Sequence, residues 1–159
     1  MILRPAVASD AAPMCVLLNR IIAIGGTTAH ELSMTPDQVA GNYITGSQVI
    51  CCHVAEMDGA IIGFQSVERS AKLPEGWGDI GTFVSPDCQR SGAGAALFSA
   101  TQAACRAAGL LAINATIRAD NAPGLGYYAR RGFVDYATDP GFALRNGRVV
   151  GRVSRRFDL

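Results

Sequence analysis

Apolar positions along the chain change their spacing several times, and each change marks an element. Ile2 to Ala6 alternates as a short strand. Met14, Leu17, Leu18, Ile21 and Ile22 then recur at helical spacing, with Ser9 or Asp10 placed to cap, Pro13 tolerated in the first turn and Gly25-Gly26 as the stop. Thr27 to Ser33 is polar and reads as irregular, and Thr35-Pro36-Asp37-Gln38 caps a second helix running towards Tyr43. Val49 to Glu56 and Ala60 to Val67 flank Asp58-Gly59 as an antiparallel hairpin, and a further strand runs from about Gly78 to Val84.

An alanine-rich helix follows from Gly92 to Ala108, with Leu97, Ala100, Ala104 and Ala108 read as its packing side and Gly109 as its end. Leu110 to Ile117 is a strongly apolar strand, so strand, helix and strand form a parallel crossover. A last helix starts at Asn121-Ala122-Pro123 and stops at Gly132, Phe133 to Tyr136 restarts strand, Asn146-Gly147 predicts a type I′ turn, and Val149 to Phe157 closes the chain. The pattern predicts an α/β (α+β) fold: a mixed, mostly antiparallel sheet of six to seven strands flanked by helices.

Composition narrows the class. With 159 residues, 49% of them hydrophobic, the chain fits one domain spanning 1–159, able to bury roughly 70% of its unfolded surface. Fourteen basic against thirteen acidic residues leave a net charge of +1, which gives no field for nucleic acid or an anionic membrane. No signal-peptide pattern and no apolar run of membrane-spanning length stand in the sequence, so a cytoplasmic location is expected. Five cysteines without C-x-x-C spacing argue against a disulfide framework or a zinc site, and His30 and His53 are too few and too separated for a metal cluster.

The stretch with the most chemistry is the join between the fourth strand and the long helix, Val84-Ser85-Pro86-Asp87-Cys88-Gln89-Arg90-Ser91-Gly92-Ala93-Gly94-Ala95. A helix start offers unpaired N–H groups and a positive dipole end, glycines let the backbone curl around an anion, and Arg90 adds charge. Two phosphate-binding fingerprints fail on it. The dinucleotide pattern needs Gly or Ala where Leu97 stands, and the nucleotide P-loop needs a lysine, whereas Lys72 is the only lysine in the chain.

The segment Gln89-Arg90-Ser91-Gly92-Ala93-Gly94 instead resembles the Gln/Arg-x-x-Gly-x-Gly/Ala signature of the GCN5-related N-acetyltransferases, whose backbone amides cradle the pyrophosphate of acetyl-CoA. A second run, Asn121-x-x-Gly124-x-x-x-Tyr128-x-x-x-Gly132-Phe133, resembles the family's downstream signature in the expected order and distance. Similarity extends over nearly the whole chain and is closest to the phosphinothricin-type members, through Arg4-Pro5-Ala6, Asn19-x-x-Ile22, the Val54 to Gly59 hairpin, Asn121-x-Pro123 and the ending Arg156-Phe157-Asp158-Leu159.

This resemblance implies acetyl transfer from acetyl-CoA to a primary amine of a small molecule by direct attack in a ternary complex, with no metal. Cofactor contacts would fall on Phe83, Val84, Gln89, Arg90, Ser91, Gly92, Ala93, Gly94, Ala95 and Asn121. Tyr128 would be the acid that protonates the departing thiolate, and Asp79 the base that deprotonates the amine. Glu31, in the polar segment expected to roof the cleft, is a second candidate base. A homodimer is the expected assembly. Two alternatives stay open: an acyl-CoA-binding sensor without chemistry, and an acetyltransferase acting on a peptide N-terminus. The phosphinothricin-type group commonly has histidine where this chain has Tyr128, and a tryptophan in the second helix where it has Gln38-Val39-Ala40. The resemblance therefore does not extend to the herbicide as acceptor.

Overall fold

In the computed structural model, which describes residues 1–159, the strand-forming runs become β1 (Ile2–Pro5), β2 (Val49–Met57), β3 (Ala60–Glu68), β4 (Trp77–Val84), β5 (Ala112–Arg118), β6 (Val134–Ala143) and β7 (Val149–Asp158). They form one sheet in the order β1-β2-β3-β4-β5-β7-β6. Every neighbouring pair is antiparallel except β4 with β5. The helices are α1 (Ala11–Ile24), α2 (Pro36–Val39), α3 (Ala93–Ala107) and α4 (Ala122–Arg130). This is the mixed, mostly antiparallel sheet with one parallel crossover that the pattern predicts.

Two apolar clusters show how the faces are covered. On one face Met14, Leu17, Leu18 and Ile21 of α1 pack with Val39, Tyr43, Phe64 and Phe83, and the Phe64 and Phe83 rings stack with centroids 4.7 Å apart. On the other, Phe98 and Cys105 of α3 and Tyr128 of α4 pack with Val67, Ile80 and Ile113. The buried positions of α3 are Ala93, Leu97, Phe98, Thr101 and Cys105. The expected alanine side is thereby corrected: Ala108 is exposed and Ala100 and Ala104 are only half-buried, because Leu97, Phe98 and Cys105 offer more apolar surface and turn the helix towards themselves.

The second helix runs towards Tyr43 as expected, and two further expectations, the extent of the sixth strand and the type of its turn, need correction. The second helix is a single α turn with a Thr35/Gln38 capping box, and Ala40–Ile44 continues it with π-type bonding. Strand β6 runs on to Ala143, through Asp139-Pro140-Gly141, with register shifts at Asp135/Ala137 and Asp139/Phe142. As the outer strand it has no partner for a proline to disrupt on its free side. Its turn is not type I′, since Gly147 has φ +82° but Asn146 does not have positive φ. Leu144 C=O accepts from Gly147 N–H at 2.9 Å and Leu144 N–H donates to Arg148 at 2.8 Å, the pattern of a three-residue loop with one left-handed glycine.

The parallel contact decides where a ligand fits. Strands β4 and β5 are in register only from Trp77↔Ala112 to Asp79↔Asn114. Beyond Asp79 the two strands part, and main-chain groups of β4 on that side have no partner strand.

Candidate active site

A cleft of about 1290 Å³ opens where β4 and β5 diverge. Phe83, Val84, the loop from Gln89 to Ala95, Asn121, Tyr128 and Asp79 all line it. Glu31 does not. It is exposed, and its carboxylate accepts the Arg145 N–H at 2.9 Å, which ties the segment after α1 to the β6–β7 hairpin.

The loop is built by local sequence. Pro86–Cys88 forms one 3-10 turn, and Arg20 of α1 grips Asp87 through two bonds of 2.6 and 3.0 Å. Arg90 then adopts φ +67° and Gly92, the residue capping α3, φ +85°. A non-glycine residue in the left-handed region stores strain, of the kind that collects at ligand-binding loops. Ser91 N–H is bonded to Cys88 and Ala93 N–H to the Ser91 hydroxyl, but the amides of Gly92, Gly94 and Ala95 have no acceptor within the protein. Three free N–H groups at the positive end of a 15-residue helix have the geometry that suits an anion. Arg90 of the loop, Arg130 of α4 and Arg131 just after it line the same cleft.

Gly94 is required by a neighbour. A Cβ there would lie 2.8 Å from Tyr127 Cε2. Tyr127 is more than a packed aromatic: its hydroxyl donates to Gly94 C=O at 2.8 Å and accepts from Gln65 at 3.0 Å, so it clamps α4 to the start of α3. Asn121 caps α4, its side-chain oxygen accepting Gly124 N–H at 2.9 Å while its amide reaches Thr27 C=O at 3.3 Å.

Strand β4 alternates without a bulge, since its register against β3 has no shift. Ile80 and Thr82 face α3 and α4, whereas Asp79, Gly81 and Phe83 face the α1 side. Tyr128 is buried, and its hydroxyl lies 2.9 Å from Thr82 Oγ1. Burial pushes its pKa well above the ordinary tyrosine value, which the Thr82 hydrogen bond only partly opposes. The phenol is therefore neutral and keeps its proton.

Asp79 sits at the last paired position, where the strands part. Burial raises its pKa, while Asn114 Nδ2, donating at 2.7 Å, pulls the other way. Asn114 is itself oriented by Tyr136, whose hydroxyl donates to its Oδ1 at 2.5 Å. Glu68 stands across from Asp79 on β3, and its pKa is raised by burial and by the Asp79 charge. These two are the only carboxylates lining the cleft. His30, on the α1 side, meets Tyr43 Oη at 2.5 Å, and burial lowers its pKa. No group of three or more His, Cys, Asp or Glu is placed to hold a metal.

The sequence reading missed Gln65, Glu68, Thr82 and Asn114. A signal for two of them was present: Gln65 and Asn114 are polar residues inside otherwise apolar strand runs, and a buried polar side chain must find partners.

Residues 28–133 match the sequence profile of the Acetyltransferase (GNAT) family. No curated protein matches the chain by sequence. Among solved structures, a ribosomal-protein-alanine N-acetyltransferase from Brucella melitensis superposes with TM-score 0.88 at 18% identity, covering 100% of both chains. An N-acetyltransferase from Staphylococcus aureus Mu50 gives 0.87 at 16%, covering 99% of this chain and 97% of that one. A GNAT superfamily phosphinothricin acetyltransferase from Sinorhizobium meliloti, in complex with acetyl-CoA, gives 0.86 at 21%, covering 99% and 88%.

Proposed function

The chain belongs to the GNAT acetyltransferase family, and on that premise we propose that it is an acetyl-CoA-dependent N-acetyltransferase whose acceptor is the primary amine of a small molecule, an amino acid or analogue. One observation carries this reading. The free amides of Gly92, Gly94 and Ala95 open onto the same cleft that holds the Tyr128 hydroxyl and the Asp79 carboxylate.

In this reading the glycine loop holds the pyrophosphate of acetyl-CoA through those amides, with Arg90 adding charge. Acetyl-CoA supplies an activated thioester. The unpaired part of β4 beyond Asp79 offers main-chain donors to its carbonyl oxygen, and fixing both reactants in one cleft supplies much of the acceleration. Asp79, on the α1 side of β4, accepts the proton of the acceptor ammonium, and its burial makes it a better base than a solvated aspartate. Tyr128, on the α4 side, gives its proton to the departing sulfur. Acid and base thus act from opposite faces of one strand, at the point where that strand loses its neighbour.

The Brucella neighbour is named for a protein alanine as acceptor, so an N-terminal peptide amine is the second reading. A panel of amino acids, polyamines and short peptides, assayed with acetyl-CoA by release of the free CoA thiol, separates the two. Acetyl-CoA binding with no thiol release across the panel would leave a sensor and overturn the enzyme reading. Tyr128→Phe should lower kcat by roughly 100-fold or more with acetyl-CoA affinity unchanged; wild-type turnover in that variant removes Tyr128 from the chemistry.

A further inference from the structure

We propose that Gln65 and Thr82 are positioning residues that aim the Tyr128 hydroxyl proton into the cleft; this rests on the reading of Tyr128 as the proton donor. The inference comes from counting protons along one buried chain of hydrogen bonds. It starts at Gly94 C=O, which only accepts, so the Tyr127 hydroxyl 2.8 Å away must donate to it. Tyr127 Oη has then spent its one proton, and the Gln65 side-chain nitrogen 3.0 Å away donates to it. The reverse amide orientation would set Gln65 Oε1 against Tyr127 Oη with no proton between them.

With its nitrogen so fixed, Gln65 gives its second proton to Thr82 Oγ1 at 2.8 Å. Thr82 has one proton, and of the two senses open to its 2.9 Å contact with Tyr128 Oη, the one that spends it has Thr82 donating. The Tyr128 oxygen is thereby an acceptor from behind. In that sense of the bond its own O–H has no other acceptor in the protein and is left for the cleft that Tyr128 lines.

Gln65 bears a cost for this role. It is fully buried, and its Oε1 has no partner. An unsatisfied buried acceptor is expensive, and an apolar residue in this strand would avoid it. The arrangement makes sense if the amide is retained for what its nitrogen directs.

The chemical step uses the chain in the same sense. As the carbon–sulfur bond breaks, its electron pair stays on sulfur, and Tyr128 transfers its proton there. The phenolate oxygen left behind already receives the Thr82 O–H, which is in turn polarised by the Gln65 N–H. The acceptor nitrogen, which has bonded the thioester carbon, loses two protons in all: the first, as ammonium, goes to Asp79 before attack, and the second, released as the amide forms, passes through solvent and makes good the one Tyr128 has given.

The test is Thr82→Val, with Thr82→Ser as the conservative control, each made in the wild type and in Tyr128→Phe. Thr82→Val should lower kcat by roughly 10-fold to 100-fold, the worth of a hydrogen bond to a charged oxygen. Acetyl-CoA affinity by calorimetry should be unchanged, and Thr82→Ser should keep wild-type kcat. In the Tyr128→Phe background Thr82→Val should do nothing further. Without acetyl-CoA, the labelled Cζ resonance of Tyr128, which reports whether its oxygen accepts, should move in Thr82→Val and stay in Thr82→Ser.

Wild-type kcat in Thr82→Val, an equal loss in the Tyr128→Phe background, or an unmoved Cζ resonance would each overturn the proposal. If Thr82→Val does not fold, Gln65→Met carries the same comparison, with a kcat loss expected only while Tyr128 is present. Normal turnover in Tyr128→Phe would overturn the acid role and the positioning with it, whereas a loss there with Thr82→Val indifferent overturns the positioning alone.

Discussion

Gly94→Ala should destabilise this protein, although alanine in a first helical turn is ordinarily an improvement. Replacing glycine by alanine in a helix is worth about 0.5–1 kcal/mol in favour of folding. Here the added methyl would stand 2.8 Å from Tyr127 Cε2, so the ring must retreat. The ring is held at its far end by Gly94 C=O at 2.8 Å and Gln65 at 3.0 Å, and retreat breaks both. Two neutral hydrogen bonds at about 1 kcal/mol each, with about 1 kcal/mol of overpacking for a single methyl, outweigh the helix gain and leave a net loss of about 2 kcal/mol. For a chain of this size that lowers Tm by roughly 4–8 °C. The same substitution in a Tyr127→Leu background, where no ring edge opposes the methyl, should raise stability by about 0.5–1 kcal/mol. Thermal and urea denaturation of the four proteins measure the sign change. A loss of equal size in both backgrounds, or a single variant as stable as the wild type, would refute the clamp. The family signature admits alanine at this position, and Tyr127 is the neighbour that should make it costly here.

Gly92→Val places a side chain at φ +85° with open space around it, so it should fold with about 1–2 kcal/mol of strain and bind acetyl-CoA about tenfold more weakly by calorimetry; unchanged affinity would show that these amides do not hold the pyrophosphate. Asn114→Leu removes the donor that lowers the Asp79 pKa against the effect of burial. A base must be ionised to act, so the acidic limb of kcat/KM against pH should move to higher pH, and a limb that stays in place would detach Asp79 from that role. Asp10→Asn breaks a contact in which Arg4 donates at 2.7 and 2.9 Å and holds the Asp10 carboxyl below the usual carboxylate range. That pair stabilises above the unfolded aspartate value and is lost as pH falls through the folded one. The variant should therefore be about 2 kcal/mol weaker at neutral pH and converge on the wild type below about pH 4 in urea melts; a gap that persists in acid would contradict the pairing.

Periodicity and punctuation in the sequence determined most of the architecture. Alternating runs became strands, the Gly92 helix start became a turn with free amides, and Asp58-Gly59 became a hairpin turn, because each depends on residues adjacent in the chain. The roles proposed for the glycine loop, Asn121 and Tyr128 rest on local spacings as well, and the fold brings all of them to one cleft. Where side-chain size competed with pattern, as on α3, the local reading turned the helix the wrong way. Only the tertiary structure decided the cleft. Loss of pairing after Asp79↔Asn114 is a property of two strands separated by a helix, and so is the placing of Asp79 and Tyr128 on opposite faces of β4. The chain from Gly94 through Tyr127, Gln65 and Thr82 to Tyr128 joins residues of α3, α4, β3 and β4, and no spacing within one segment encodes it. Glu31 shows the converse: its polar surroundings suited a substrate contact, but folding brought Arg145 to its carboxylate first. Hydrogen-bond partners distant in sequence are chosen by packing, and packing is what a linear pattern leaves unspecified.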